Sequence, residues 1–98
     1  MLRLTVTPKA ESDLTEIWLY TCEECGVDQA DVYLDQLEAG VKQLINHPSL
    51  GADYAHVLRG YRRLQVKHHA VFYQVHEPEV LIVRVLHEDM DAPQRLLD

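Results

Sequence analysis

The sequence has 98 residues, of which 47% are hydrophobic and 26% are charged, and its formal net charge at pH 7 is −7. This length fits a single domain spanning residues 1–98, because a chain of this size buries about two-thirds of its unfolded surface around one core. No apolar run approaches the ~20 residues of a membrane span, and the first residues turn polar too early for a signal peptide. We therefore expect a cytoplasmic protein without membrane association.

The charge is divided unevenly along the chain. Residues 11–50 contain nine acidic side chains and one lysine, a balance of −8, whereas residues 59–67 contain four basic side chains and no acid. A protein that binds nucleic acid through many phosphates is usually basic overall, so direct nucleic-acid binding is not expected. An anionic partner would have to bind locally, at the four basic residues Arg59, Arg62, Arg63 and Lys67.

The N-terminal residues predict a strand followed by a helix. Apolar and polar residues alternate over residues 2–6, which is the period of a half-buried strand. Thr7 and Pro8 then supply an N-cap and a first helical residue. The apolar positions that follow keep helical spacing as far as Cys25, where Gly26 is the predicted stop.

A second helix is predicted directly after the first. Asp28 is its predicted N-cap, and its apolar stripe reaches Ile45 before Pro48 breaks the pattern. Two helices joined by a short turn should form an antiparallel hairpin. Trp18 is interpreted as a core residue of this hairpin, whereas the role of Tyr33 is left open.

The second half of the chain predicts strands. Residues 48–57 have the composition of a loop, and residues 58–67, 70–76 and 80–87 are predicted strands, the last being the most hydrophobic and the predicted central strand. Residues 91–98 form a polar tail. The order predicts an α+β domain in which a helical hairpin covers one face of a sheet, formed by an N-terminal strand and a three-stranded antiparallel run, and leaves the other face partly uncovered.

The two cysteines, Cys22 and Cys25, are separated by two glutamates. This spacing occurs in redox pairs and in half of a zinc site, but a thioredoxin-like pair begins a helix after a strand, and no second Cys/His pair has zinc-ligand spacing. We therefore interpret both as small, semi-buried side chains and expect no metal and no cofactor.

Three segments of the second half are distinctive in combination, namely residues 59–62 (RGYR), 69–73 (HAVFY) and 84–91 (RVLHEDMD). With them, nearly the whole chain resembles the ParE branch of the RelE/ParE superfamily, the toxins of type II toxin–antitoxin (plasmid stabilisation) modules. The upstream positions that agree with this resemblance are Ala10, Asp13, Leu14, Ile17, Trp18, Tyr20, Gly26, Gln29, Ala30, Tyr33, Pro48 and Gly51.

The resemblance implies a RelE/ParE-like fold and a toxin that a ParD-like antitoxin neutralises in a hetero-oligomer. ParE-type members are associated with poisoning DNA gyrase, which is therefore the expected target, whereas RelE-type members cleave messenger RNA in the ribosome. On this interpretation the working surface is a docking face for target or antitoxin, with the residues Arg59, Arg62, Arg63, Tyr73, Arg84 and His87.

The residues favour a toxin that is not an enzyme. Cleavage by a 2′-hydroxyl requires a proton acceptor, a donor to the leaving oxygen and cations near the phosphate. RelE-like nucleases usually carry an arginine just before an apolar pair and a tyrosine, and His69 or Ala70 takes that position here. They also carry a C-terminal catalytic Tyr or His, whereas the tail after His87 has no tyrosine and no lysine.

Two alternatives stay open, a ribosome-dependent ribonuclease and a non-toxic remnant that binds an antitoxin. For Arg84 an ion pair with Asp91 or Glu88 is preferred over catalysis, and for His87 a backbone cap at the strand end. The residues that would form the nuclease site are Arg62, His69, Arg84 and His87.

The acidic helices depart from the basic character of many such toxins, so charge pairing over the whole toxin is not expected. Instead, we expect the antitoxin to lay an apolar helix in a groove while its acidic side chains reach Arg59, Arg62 and Arg63.

Overall fold

One five-stranded sheet runs through the molecule, with two long helices on one face and a short helix on the other. In this computed structural model, which describes residues 1–97, the helices are α1 (Pro8–Cys25), α2 (Val27–Lys42) and α3 (Ala92–Leu97), and a 3-10 turn, Gln43–Ile45, follows α2. The strands are β1 (Arg3–Val6), β2 (Ala52–Asp53), β3 (Arg62–Val66), β4 (His69–His76) and β5 (Glu79–His87). The predicted α+β class is confirmed. Within residues 1–97, no helix is both long and apolar enough to cross a bilayer.

The N-terminal strand and the start of α1 are attached to β5. β1 pairs with β5 in parallel, which the sequence did not predict; the intervening helices supply the long connection that parallel strands need. Thr7 is the N-cap of α1, as predicted. Its Oγ1 accepts a hydrogen bond from the Ala10 N–H at 3.1 Å and donates one to the Val83 carbonyl at 2.8 Å. The cap therefore also holds α1 on the sheet.

A single residue, Gly26, separates α1 from α2. Its φ of 90° lies in the left-handed region, which glycine adopts at low steric cost, and it both ends α1 and is the N-cap of α2. The predicted N-cap, Asp28, is wrong, since it lies inside the first turn of α2. Trp18 was predicted in the core but is half-buried at the hairpin seam, where its Nε1 donates to Asp31 Oδ1 at 2.9 Å.

The strand order is β1-β5-β4-β3-β2. β4 is thus the middle strand, and β5, the predicted central strand, is an interior strand between β1 and β4. Two residues of the predicted loop 48–57 form β2 at the sheet edge, and β3 begins at Arg62 rather than at Leu58, because residues 58–61 form a turn. The pairing of β4 with β5 is irregular between Phe72 and Tyr73.

The two faces of the sheet carry cores of different size. The smaller core, on the face away from α1 and α2, contains Ala70, Phe72 and Leu86. The residues predicted as a polar tail form the helix α3 instead. Its Ala92 and Leu96 pack on this smaller core, so α3 covers the middle of the sheet face that was expected to be partly uncovered. Asp98 lies outside the described residues. The larger core contains Ala10, Ile17, Leu37, Leu44, Val71, Tyr73, Val80, Ile82 and Val85.

Candidate protein-binding site

Arg62 and Tyr73, two of the predicted docking residues, hold the loop that precedes β2. Tyr73 is completely buried, and its hydroxyl donates to the Pro48 carbonyl at 2.6 Å and accepts from the Gly51 N–H at 2.9 Å. Arg62 donates from Nε to the Gly51 carbonyl at 3.0 Å and from Nη2 to the Ser49 carbonyl at 3.3 Å. The prediction that Tyr73 contacts a partner is therefore corrected, because its side chain is enclosed and its hydroxyl is already bonded.

Arg84, another predicted docking residue, is also used inside the fold. Its Nε and Nη2 donate to the two carboxylate oxygens of Asp13 at 2.8 and 2.9 Å, and its Nη1 donates to the Arg95 carbonyl at 3.0 Å. The two charged side chains are only 13% and 10% exposed. The predicted ion pair of Arg84 with Asp91 or Glu88 is wrong. The observed pair joins α1, β5 and α3 instead.

Arg59 and Arg63 are not bonded to the loop before β2; Arg63 is half-buried. Arg59 is exposed in the turn before β3. Arg63 donates from Nη2 to Gln65 Oε1 at 2.6 Å on the same strand, and it lines a shallow pocket of about 240 Å³ together with Tyr54 and Glu88. Of the predicted docking arginines, these two are placed to present their charge to a partner.

A tyrosine and two histidines meet where α2 approaches the start of β4 and the end of β5. The Tyr33 hydroxyl is hydrogen-bonded to His69 Nδ1 at 2.6 Å and accepts a hydrogen bond from the His68 N–H at 3.2 Å. The His87 ring packs edge-on against His69, with centroids 5.3 Å apart. Burial, and after it the neighbouring His87 and His68, lowers the pKa of His69 from 6.5 to about 4, although Glu88 opposes the shift. His69 is therefore neutral at pH 7.

Tyr33 is the member of this cluster whose role sequence reasoning left open. Burial raises the pKa of its hydroxyl, against the opposing effect of the hydrogen bond from the His68 N–H. The available signal was its place one helical turn before Leu37, a buried residue of the same apolar stripe. That signal indicates a face directed at the sheet, but it does not identify His69 as the partner.

The four candidate nuclease residues are not gathered around one site. Arg62 is held by loop carbonyls and Arg84 by Asp13, whereas His69 and His87 are in ring contact. His87 Nδ1 accepts a hydrogen bond from the Asp89 N–H at 3.1 Å, which is the predicted cap at the strand end. Within residues 1–97, no three His, Cys, Asp or Glu side chains lie close enough to hold a metal ion.

An apolar groove of about 330 Å³ lies between α2 and the sheet. We call it the α2 groove. At its edge the exposed pair Glu38 and Lys42 is joined by an ion pair of 2.9 Å. Such a groove can accept apolar side chains of a partner helix. The apolar side chains that line it are Leu4, Val6, Leu14, Leu34, Leu37, Val41, Val71, Ile82 and Val85.

Two solved structures with this fold come from toxin–antitoxin systems. A chain of the structure titled "Chromosomal ParDE TA system from P. aeruginosa" superimposes with a TM-score of 0.80 at 25% sequence identity, covering 89% of this chain and 96% of that chain. A chain of the YoeB-YefM toxin–antitoxin heterotetramer from Staphylococcus aureus has a TM-score of 0.58 at 16% identity, over 89% of this chain and 97% of that chain, and shows the fold alone. The protein thus has the fold found in these complexes.

Sequence comparison gives the family. Residues 4–92 match the family described as "ParE toxin of type II toxin-antitoxin system, parDE". Toxin ParE1 of Caulobacter vibrioides is 39% identical over 90% of this chain and 91% of the relative, and Toxin ParE1 of Mycobacterium tuberculosis is 37% identical over 96% and 97%. Toxin ParE of Escherichia coli is 35% identical over 100% and 96%. The chain belongs to the ParE toxin family of type II toxin–antitoxin systems, which confirms the predicted resemblance and supports the prediction that the toxin is not an enzyme.

Proposed function

We propose that this toxin acts by binding DNA gyrase and that a ParD-like antitoxin neutralises it by placing an apolar helix in the α2 groove. The observation that carries the antitoxin half of the proposal is the groove itself, which is lined by nine apolar side chains beside Glu38 and Lys42 and is large enough for several side chains. A helix with apolar residues at three- and four-residue spacing is the natural occupant of such a surface.

The outward-facing charges suggest how the antitoxin is oriented. Arg59 and Arg63 lie at or before β3, towards one edge of the sheet, and both are placed to meet acidic side chains. The exposed faces of α1 and α2 carry eight of the 16 acidic residues, so an acidic antitoxin segment would be repelled from the hairpin and attracted to β3. Arg62 is left out of this contact because it is bonded to the loop before β2.

Binding rather than catalysis is supported by the state of the candidate catalytic groups. A general base must reach the proton that it removes, and a cation must reach the phosphate. Here Arg84 is paired with Asp13, Arg62 is bonded to carbonyls, and His69 Nδ1 is already hydrogen-bonded to the Tyr33 hydroxyl. The groups therefore stabilise the fold, and the surface that is left suits a protein partner.

The target is tested by expressing the chain alone in bacterial cells. Gyrase poisoning should induce a DNA-damage response and trap cleaved complexes of gyrase with DNA. Rapid depletion of transcripts without trapped complexes would contradict the gyrase proposal in favour of a ribonuclease. Normal growth with a stably expressed, folded protein would contradict it in favour of a non-toxic remnant.

The antitoxin contact is tested separately, with two variants on the same helix. Leu34 lines the α2 groove, whereas Val32 is 48% exposed two residues away on α2. Because a charged side chain replaces apolar lining and would have to lose its water beneath a bound apolar helix, Leu34→Lys should weaken antitoxin binding by about 100-fold, and Val32→Lys by less than about twofold. Equal effects of the two variants in a calorimetric titration would show that the antitoxin binds elsewhere.

A further inference from the structure

Cys22 and Cys25 lie in the last turn of α1, at the tip of the helical hairpin. Both are free thiols, Cys22 half-buried and Cys25 exposed, and neither belongs to a core cluster. We infer that the pair is a modification site: a dithiol that a small disulfide such as oxidised glutathione converts to an intramolecular disulfide, with deformation of the last turn of α1. This inference does not depend on the identity of the toxin's target or antitoxin.

The helical spacing places the two Cα atoms within disulfide range but holds the two Cβ atoms too far apart for the bond. In an α-helix, residues three apart have Cα atoms about 5 Å apart, which lies inside the range of about 4.4–6.8 Å found in disulfides. Their Cβ atoms, however, are about 5–6 Å apart in a helix, whereas a disulfide requires about 3.5–4.5 Å. The Cβ atoms must therefore approach by about 1–2 Å, which a regular helical turn does not allow.

The surroundings of the pair allow the turn to change shape. Residues 23–29 are all exposed, so a backbone shift there disrupts no core packing. Gly26 has open space around it, since a Cβ built at this position meets no atom within 4 Å. One backbone hydrogen bond, from the Gly26 N–H to the Cys22 carbonyl at 2.8 Å, closes the last turn across the pair. Local opening there costs far less than opening near the sheet.

The exposure of Cys25 sets the order of the chemical steps. The Cys25 thiolate attacks one sulfur of oxidised glutathione, which forms a mixed disulfide and releases one glutathione thiolate. The Cys22 thiolate then attacks the Cys25 sulfur and expels the second glutathione thiolate, leaving the Cys22–Cys25 bond. The protein loses two protons and two electrons, and one glutathione disulfide is reduced to two glutathione thiols.

The strain of the Cys22–Cys25 disulfide determines the redox conditions under which it forms. A disulfide that deforms its surroundings is more easily reduced than an unstrained one. In a reducing compartment the dithiol is therefore the resting form, and the disulfide forms only when the glutathione pool becomes oxidised. The site is thus reversible, unlike the structural disulfides of secreted proteins.

The test uses the purified full chain in glutathione buffers of increasing oxidised fraction, followed by thiol alkylation and intact mass measurement. We expect a monomer that has lost two hydrogen atoms and takes up no alkylating agent, and that reverts completely in reduced glutathione. Cys22→Ser and Cys25→Ser should each stop at a mixed disulfide with one glutathione. Wild-type protein that carries two glutathiones, or that forms disulfide-linked dimers, would overturn the inference.

Amide hydrogen exchange tests the deformation. The Gly26 amide should exchange at least about tenfold faster in the oxidised protein than in the reduced protein, because its bond to the Cys22 carbonyl is lost. The Gly51 amide, which is bonded to Tyr73 far along the chain, is the internal control and should not change. An oxidised protein with an unchanged Gly26 amide would refute the deformation.

Discussion

Arg62 and Arg84 differ from Arg59 and Arg63 in what surrounds their guanidinium groups, although all four looked alike as docking residues in the sequence. The first two are bonded to loop carbonyls and to Asp13, whereas Arg59 is exposed and the half-buried Arg63 donates to Gln65, a side chain of its own strand. A guanidinium bonded to the backbone of a loop or to a buried acid is not available to another molecule without loss of stability. The comparison teaches that a basic stretch in the sequence overstates the charge that a partner meets.

The largest effect is expected from breaking the enclosed pair. Asp13→Ala removes the buried carboxylate that accepts from Arg84 Nε and Nη2 and from the Val85 N–H, and it should lower the free energy of unfolding by about 3–5 kcal/mol. Urea denaturation measures the loss. The double variant Asp13→Leu with Arg84→Met should recover at least half of it, because neither charge is then left enclosed. A loss below about 1 kcal/mol for Asp13→Ala would show that Arg84 is solvated after all.

A smaller loss is expected where Tyr73 holds the loop with Arg62. Tyr73→Phe keeps the ring but removes the bonds to the Pro48 carbonyl and the Gly51 N–H, and it should cost about 1–3 kcal/mol in urea denaturation. Tyr20→Phe is the matched control, because Tyr20 is 67% exposed. If both variants lost the same amount, the loop contacts of Tyr73 would not contribute to stability.

The half-buried His69 should make the stability of the folded protein depend on pH. The pKa of His69 is about 4 in the folded protein and an ordinary 6.5 in the unfolded chain. Between these pH values the unfolded chain therefore binds more protons at His69 than the folded protein does. Stability should therefore fall as the pH is lowered from about 6.5 towards about 4, by about 1 kcal/mol after allowance for solvent screening of this half-buried group. Thermal unfolding midpoints measured across that range should fall less steeply for His69→Gln, and parallel curves for the two proteins would contradict the assignment.

The smallest effect on stability, below about 0.5 kcal/mol, is expected for the outward arginines. Reversing both, in Arg59→Glu with Arg63→Glu, should nevertheless weaken antitoxin binding by about tenfold in a calorimetric titration. Arg3→Glu, at the opposite edge of the sheet, is the matched control with a 71% exposed side chain and should bind normally. Unchanged affinity of the double variant would remove the charge contact from the proposed complex.

Local signals predicted most of the elements of the fold. Thr7 and Pro8 identified the start of α1, period-two alternation identified β1 and β4, and a hydrophobic run identified β5, because these signals depend on neighbours within a few residues. The parallel pairing of β1 with β5 depends on residues far apart in sequence, and no local pattern encodes it. The short helix α3 was missed because its six residues carry only two apolar contacts, Ala92 and Leu96, which is too little for a periodic signal.

The candidate site was less predictable than the fold. Asp13 lies 71 residues from Arg84, and Tyr33 lies 36 residues from His69, so the residues that engage these groups could not be named before the topology was known. The sequence suggested acids close to Arg84 as its ion-pair partners, but the observed partner, Asp13, lies on α1, which packs on β5. Residue type thus indicated charge, and three-dimensional position decided its use.

The pairing of β1 with β5 has a consequence for how the toxin is made. The Thr7 hydroxyl donates to the Val83 carbonyl, which lies 76 residues later in the chain. At a synthesis rate of about 5–20 residues per second, the ribosome reaches Val83 about 4 to 15 s after Thr7. A chain interrupted before β5 lacks the neighbour of β1 and also Ile82 and Val85, two walls of the α2 groove. A chain that lacks β5 therefore forms neither the complete sheet of the toxin nor the groove proposed for its antitoxin, and both arise together once β5 has been synthesised.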